Sequence, residues 1–257
     1  MATILDSRVR KLFAHPFHEQ RSPEWFEQRK GKLTASDVAA AVHMNPYQSQ
    51  RALFRKKICQ GRKFTGNAAT EWGTRNEPLA IERYVAETGR VVFEFGLITH
   101  SSPEHSYLAG SPDGVTACGR LLEVKCPLSR EIKHEIPDHY YPQVQMLMEI
   151  LDLDVCDFVQ YRPASAFMDA EFDILEVPRD RAWFTQHVPI LAEFWQSVVE
   201  AVSVNPRPES PPARKRRKLS PDLPPECLIF INHDTPCPTP RPSVEEGEHA
   251  PKSLVTV

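Results

Sequence analysis

The sequence predicts an α/β protein, one domain with helices around a small mixed sheet, followed by a disordered tail. Three observations predict it. Residues 22–202 alternate stretches of helical apolar spacing with short runs rich in β-branched and aromatic residues. Glycines and prolines stand at the junctions between them. Of the 24 prolines, 12 fall in residues 205–257, about a fifth of the chain with almost no apolar periodicity to drive packing. We therefore divide the chain into a folded domain at 1–204 and a proline-rich tail at 205–257, with no internal repeat.

The elements follow in order. Ser22-Pro23-Glu24-Trp25 reads as a helix start, because Ser22 can cap, Pro23 suits the first turn and Glu24 favours the dipole. Trp25 and Arg29 then share a face one turn apart. Thr34-Ala35-Ser36-Asp37 resembles a capping box ahead of a second helix, which Asn45-Pro46 ends. A short basic helix carries Arg51, Leu53, Phe54, Arg55, Lys56 and Lys57, with Gly61 closing it. Residues 68–88 form a longer helix stopped by Gly89, within which Pro78 predicts either a kink or a helix start beside Glu77.

From Arg90 the pattern turns to β. Val91-Val92-Phe93-Glu94-Phe95 and Leu97-Ile98-Thr99 are strand-like, and strands at 107–111 and 121–126 are expected to be joined by a turn holding Gly114 and Gly119. Residues 140–151 have helical spacing through Val144, Leu147, Met148 and Leu151. Strands at 155–161 and 172–177 follow. A helix over about 180–202 completes the domain, with Trp183, Val188, Leu191, Phe194, Trp195 and Val198 as its core-facing stripe.

Composition narrows the function classes. The formal net charge of −3 neither favours nor opposes nucleic acid as a partner, since phosphate contacts need only a local basic groove. Six cysteines without a C-x-x-C pair argue against a disulfide scaffold and a zinc ribbon, and a reducing compartment is expected. Residues 1–11 lack the apolar core of a secretion signal, and no window approaches the ~18 apolar residues of a membrane span. The protein is expected to be intracellular, with no membrane partner.

The chemistry concentrates in Ser111-Pro112-Asp113-Gly114 and Leu122-Glu123-Val124-Lys125. Hydrolysis of a phosphodiester needs an activated water, a counter-charge for the phosphorane and help for the leaving oxygen. Mg²⁺ can serve all three needs and prefers hard oxygen ligands, so Asp113 and Glu123 are suitable. On a strand, Glu123 and Lys125 share one face, while Val124 points into the core and leaves its carbonyl available to the metal. Lys125 is then expected to position or deprotonate the attacking water, its pKa lowered by the adjacent cation. An ordinary solvated strand face beside an ordinary turn is the competing account of the same residues. A hairpin-length turn between the two strands would bring both carboxylates to one metal. The ten histidines lack ligand spacing and are read as non-catalytic.

These segments resemble the PD-(D/E)xK nuclease signature, and more narrowly the lambda-exonuclease and YqaJ-type viral recombinase family. Four further segments are similar in order: Trp25-Phe26-Glu27-Gln28-Arg29 with Thr34-Ala35-Ser36-Asp37, Trp72-Gly73-Thr74-Arg75-Asn76-Glu77-Pro78, Tyr140-Tyr141-Pro142-Gln143-Val144-Gln145, and Cys156-Asp157-Phe158-Val159. The resemblance covers about residues 22–163. It implies a restriction-endonuclease-like core, a central mixed sheet flanked by helices. It also implies Mg²⁺-dependent degradation of double-stranded DNA from 5′ ends, giving 3′ single strands for recombination or repair, with Mn²⁺ able to substitute.

Carried over by position, Asp113 and Glu123 would be metal ligands and Lys125 the catalytic lysine. Glu77 would add an acidic group to the metal cluster, and Arg29, Ser36, Ser111 and Gln143 would hold the 5′-phosphate. A single-strand annealing protein and a homo-oligomer are the partners such a family brings into view. A structure- or site-specific endonuclease using the same metal site, and a non-catalytic DNA-binding accessory, are the alternatives. Arg214, Lys215, Arg216, Arg217 and Lys218 form a basic run readable as a nuclear-import signal, a DNA contact or a solvated cluster. Import is the preferred reading, and it points to a nucleus.

Overall fold

The computed structural model describes residues 5–58, 66–165 and 168–204. The chain divides into two units, Met1–Pro212 and Ala213–Val257, and every described residue belongs to the first. Gly61, the tail and its basic run lie outside the described residues.

In chain order the elements are α1 (Ser7–Leu12), α2 (Pro23–Lys30), β1 (Leu33–Thr34), α3 (Ala35–Ala41), α4 (Gln50–Lys57) and α5 (Ala68–Thr88). Then come β2 (Val92–Phe93), β3 (Ile98–Thr99), β4 (Leu108–Gly110), β5 (Gly114–Thr116), β6 (Leu121–Lys125) and α6 (Tyr141–Leu151). Strands β7 (Val155–Arg162) and β8 (Glu171–Pro178) and helix α7 (Arg181–Val204) complete the described fold. Two mixed sheets result, one ordered β1-β4-β3 and the other β2-β5-β6-β7-β8. In the larger sheet β6 and β7 are parallel and the remaining pairs antiparallel. Parallel neighbours need a long crossover, and α6 supplies it.

Local chemistry accounts for the element ends. Ser22 caps α2 by accepting from the Trp25 N–H, with Pro23 in the first turn. Asn67 caps α5 by accepting from the Thr70 N–H at 2.9 Å. Gly89 ends that helix at φ 64°, a left-handed backbone that a side chain would strain. Pro78 is exposed, and α5 runs through it as one 21-residue helix, so no helix starts beside Glu77.

Two expectations are corrected, and one helix is added. Helix α1 had no signal in the pattern; Asp6 caps it, and Val9 and Leu12 are buried. Thr34 makes no cap hydrogen bond, because its hydroxyl donates to the buried Asp37 carboxylate at 2.7 Å. The strands before and after Asp113 are not a hairpin: β4 belongs to the smaller sheet, and β5, which directly follows Asp113, is the strand that pairs with β6. The hairpin turn is tighter and later, with Gly119 at φ 82°.

Strand β6 is covered on both faces. Leu122 and Val124 pack with Val159 against Ala80 and Tyr84 of α5. Leu121 joins the main core with Val144, Leu147 and Leu151 of α6, and Leu191, Phe194 and Val198 of α7. Each such side chain contributes roughly 1.5–3 kcal/mol when fully buried. Helix α5 has the smaller apolar seat, and ionic contacts supplement it. Asp157 of β7, 1% exposed, accepts from the Tyr84 hydroxyl, from Arg90 at 2.8 Å and from Arg120 at 2.6 Å. Asp37, 3% exposed, likewise holds α4 to α3 through Lys56 at 2.9 Å and Lys57 at 2.7 Å.

Burial alone would raise the Asp37 carboxyl, but Lys57 and then Lys56 outweigh it and hold the group well below the ordinary range. A depressed carboxylate contributes stability above its unfolded pKa, about 4, and loses it as the pH falls through the folded value. Asp37→Asn should therefore cost about 3 kcal/mol in urea unfolding at pH 7. The gap to the parent chain should narrow steadily below about pH 4; a gap independent of pH would show that the ion pairs do not hold α4.

Candidate active site

The two-residue period of β6 sorts its side chains. Glu123 and Lys125 share the α6 side, and the Lys125 ammonium donates to Glu123 Oε1. Gln143, on the first turn of α6, donates to the same oxygen at 2.6 Å. Glu123 is 0% exposed, yet its Oε2 has no hydrogen-bond partner.

The backbone brings Asp113 to the same place. Arg120 accepts from the Thr116 N–H at 2.9 Å, so strand alternation turns the N–H and C=O groups of Leu122 and Val124 toward β5 as well. Strand β5 begins at Gly114, opposite Leu122, and leaves Val124 beyond its end. Asp113 Oδ2 takes the Val124 N–H at 2.7 Å, and strand alternation sends the Val124 carbonyl to the same edge of β6.

The electrostatics are those of crowded carboxylates. Burial raises the Asp113 carboxyl well above its ordinary value, with Glu123 adding to the shift and Lys125 opposing it. Burial also raises Glu123, and Lys125 is the main opposing charge. Glu77 of α5 lies close enough for its charge to raise both groups. Its own carboxylate accepts from Arg21 at 3.0 Å. Burial would lower Lys125, but Glu123 and then Asp113 outweigh it, so its pKa is raised. The lowering expected from the sequence belongs to a bound cation, whereas the charges facing the ammonium here are carboxylates.

Among the described residues, no three His, Cys, Asp or Glu side chains converge tightly enough to ligate one ion. The donor chemistry nevertheless fits a hard divalent cation. Glu123 offers an unpartnered buried oxygen, and Asp113 and Glu123 repel one another.

A second group lies two residues before Asp113. Ser111 accepts from Trp25 Nε1 at 2.9 Å. The Arg29 guanidinium stacks over the Trp25 ring, 4.2 Å from its centroid. Arg29 also donates to Thr34 at 3.1 Å and to Ser36 at 3.2 Å. Burial lowers its pKa, with the Asp37 charge opposing. A guanidinium held by a ring and neutral hydroxyls is suited to an anion.

Arg29, Ser36 and Ser111 are thus brought together through Trp25, whereas Gln143 joins the carboxylates through Glu123. Gln145 points elsewhere, bonding the Pro178 carbonyl and the Asp180 N–H. Three residues to which the sequence reading gave no site role lie against these groups. Trp25 carries the Arg29 guanidinium on its ring, Thr34 is a further hydroxyl on Arg29, and the Tyr140 ring lies 5.0 Å from the Lys125 ammonium. The adjacency of Tyr140 to Gln143 in one helical turn was the available signal.

Residues 24–154 match the YqaJ-like viral recombinase domain. An uncharacterized protein, R354, of Acanthamoeba polyphaga mimivirus is 32% identical over 163 residues, 56% of this chain and 29% of that protein. Protein D345L of African swine fever virus (strain Badajoz 1971 Vero-adapted) is 28% identical over 158 residues, 49% of this chain and 45% of that protein. The chain spans less than half the length of these curated relatives. Among solved structures, an alkaline exonuclease from Laribacter hongkongensis, LHK-Exo, is 30% identical with a TM-score of 0.60, covering 71% of this chain and 95% of that one. LHK-Exo in complex with dAMP gives 29% identity and a TM-score of 0.61. With the domain match spanning half of its sequence, this chain belongs to the YqaJ-like viral recombinase family.

Proposed function

We propose that the protein is a Mg²⁺-dependent deoxyribonuclease that degrades double-stranded DNA from 5′ ends and leaves 3′ single strands for recombination or repair. One observation carries the reading: Ser111-Pro112-Asp113 joins the anion pocket directly to the carboxylates, so a bound terminal phosphate lies within a few residues' reach of the cutting groups. The likeness to an alkaline exonuclease supports it. Mn²⁺ is expected to substitute for Mg²⁺.

Asp113 and Glu123, with Glu77 and the Val124 carbonyl, would hold the metal. When bound, it supplies Lewis acidity toward the phosphate and lowers the pKa of a coordinated water. The chain's own residues do the remainder. Gln143 and Lys125 fix Glu123 through Oε1, which leaves Oε2 free of hydrogen-bond partners and able to ligate. Lys125, paired with Glu123 and backed by the Tyr140 ring, orients the attacking oxygen and offers a counter-charge as negative charge builds on the phosphate. Arg29, Ser36 and Ser111 bind the 5′-phosphate and set the distance from the end to the scissile bond. A single-strand annealing protein as partner, a homo-oligomeric assembly, and nuclear import through the basic run at 214–218 complete the proposal.

Linear duplex DNA with 5′-phosphate ends should be degraded in Mg²⁺ and spared with excess chelator. Nicking of closed circular DNA would instead indicate an endonuclease, and no cleavage of either substrate would indicate a binding accessory. Lys125→Ala should lower turnover by roughly 10²–10⁴-fold with DNA binding retained; undiminished turnover would remove Lys125 from the mechanism. Arg29→Ala should reduce the preference for 5′-phosphate over 5′-hydroxyl ends by about tenfold, read as the ratio of initial rates. An unchanged ratio would count against the anion pocket.

A further inference from the structure

A row of rings leads from Lys125 to solvent. The Lys125 ammonium lies 5.0 Å from the centroid of Tyr140. Tyr140 leans on His139 at 4.1 Å, and His139 meets Tyr47 edge to face at 5.5 Å and 88°. Tyr140 and His139 are half-buried, whereas Tyr47 is 83% exposed. A single exposed aromatic is unremarkable on its own. This one is held in place: the N–H groups of Tyr47 and Gln48 both donate to Asn45 Oδ1, at 2.8 and 3.0 Å, in a closed Asx turn. The ring is presented on a fixed backbone and leaned against a neighbour, with a face left open.

Arginines follow Tyr47 in the chain, and one approaches the row at its inner end. Helix α4 starts three residues after Tyr47 and exposes Arg51 and Arg55 one turn apart. On the inner side, Arg130 is close enough to His139 for its charge to bear on the imidazole. Fixed aromatics with arginines on the same part of the surface are the chemistry that grips single-stranded nucleic acid, the bases stacking and the phosphates meeting the cations. A duplex offers no free base face at its sides, so a ring of this kind acts on nucleotides already out of the helix. Every base has a stacking face, which makes such a contact independent of sequence.

We propose that Tyr47 is a stacking site for an unpaired nucleobase of the DNA, backed by His139 and Tyr140 in a row whose inner end is Lys125. The proposal rests on the nuclease reading for its substrate and adds a place where a separated strand is held beside the cutting groups. It assigns a role to the segment between α3 and α4, which the carboxylates and the anion pocket leave unused.

The test is the affinity of the full-length chain for a fluorescently labelled 12-nucleotide single strand, measured in excess chelator so that cleavage does not enter. Tyr47→Ala should weaken binding about tenfold, and Tyr47→Phe and Tyr47→Trp should stay within about twofold of the parent. A 2-aminopurine base in the strand should be quenched by the parent chain and not by Tyr47→Ala. Equal affinity of Tyr47→Ala and parent overturns the proposal, as does a Tyr47→Phe variant as weak as Tyr47→Ala, which would point to the hydroxyl instead of the ring. A chain that stacks the strand but never cuts DNA would sink the nuclease reading and leave this one standing.

Discussion

The burial of Glu123 on a strand covered from both sides constrains the rest of the site. Strand β6 presents Leu122 and Val124 to α5 and Leu121 to the main core, so its position is set by apolar packing that tolerates little adjustment. Its alternation then delivers Glu123 and Lys125 to a single side. A one-residue slip would put both into the α5 interface and turn Leu122 and Val124 to the site. Gln143 on Oε1 and the Lys125 ammonium are contacts that this registration makes available.

Three buried carboxylates show how charge is allocated. Asp37 has two lysines and a hydroxyl, and Asp157 has two arginines and a phenol, so each is matched by more positive charge than it carries. Both bind helices to the body of the domain. Glu123 has one lysine, a neighbouring carboxyl that repels it and an oxygen with no partner. A buried polar atom without a partner is costly, and an under-compensated carboxylate next to another is costlier. The contrast separates charges that stabilise the fold from one whose incomplete satisfaction suits it to a ligand.

Two sheets meet where the site forms. Strand β4 ends at Gly110 in the smaller sheet and β5 begins at Gly114 in the larger, with Ser111, Pro112 and Asp113 between them. Trp25 reaches Ser111 from α2, and Gln20 donates to the Pro112 carbonyl at 3.0 Å, so the connection is held from outside as well as by its strands. The Trp25, Arg29 and Ser111 group and the carboxylates are thereby linked by a few bonds of backbone.

Local signals determined much of this in the sequence itself. Ser22 before Pro23, Gly89 after Thr88 and the apolar spacing of 141–151 act through neighbours one turn away, and the helices they predict are present. The period of Leu122-Glu123-Val124-Lys125 likewise put Glu123 and Lys125 together without reference to the remainder of the chain. What depended on long-range pairing was not legible there. Strand β5 is three residues long and exists only because β6 and β2 flank it, so the hairpin was placed too early. Asp157 and Asp37 were invisible as clamps, since their partners lie 37–73 and 19–20 positions away and a carboxylate's environment is not written in its neighbours. The sequence by itself determined which groups could do the chemistry, because residue type and strand period are local. Only the tertiary structure decided which carboxylate was left incompletely paired, because that depends on which distant cations the packing brings within reach.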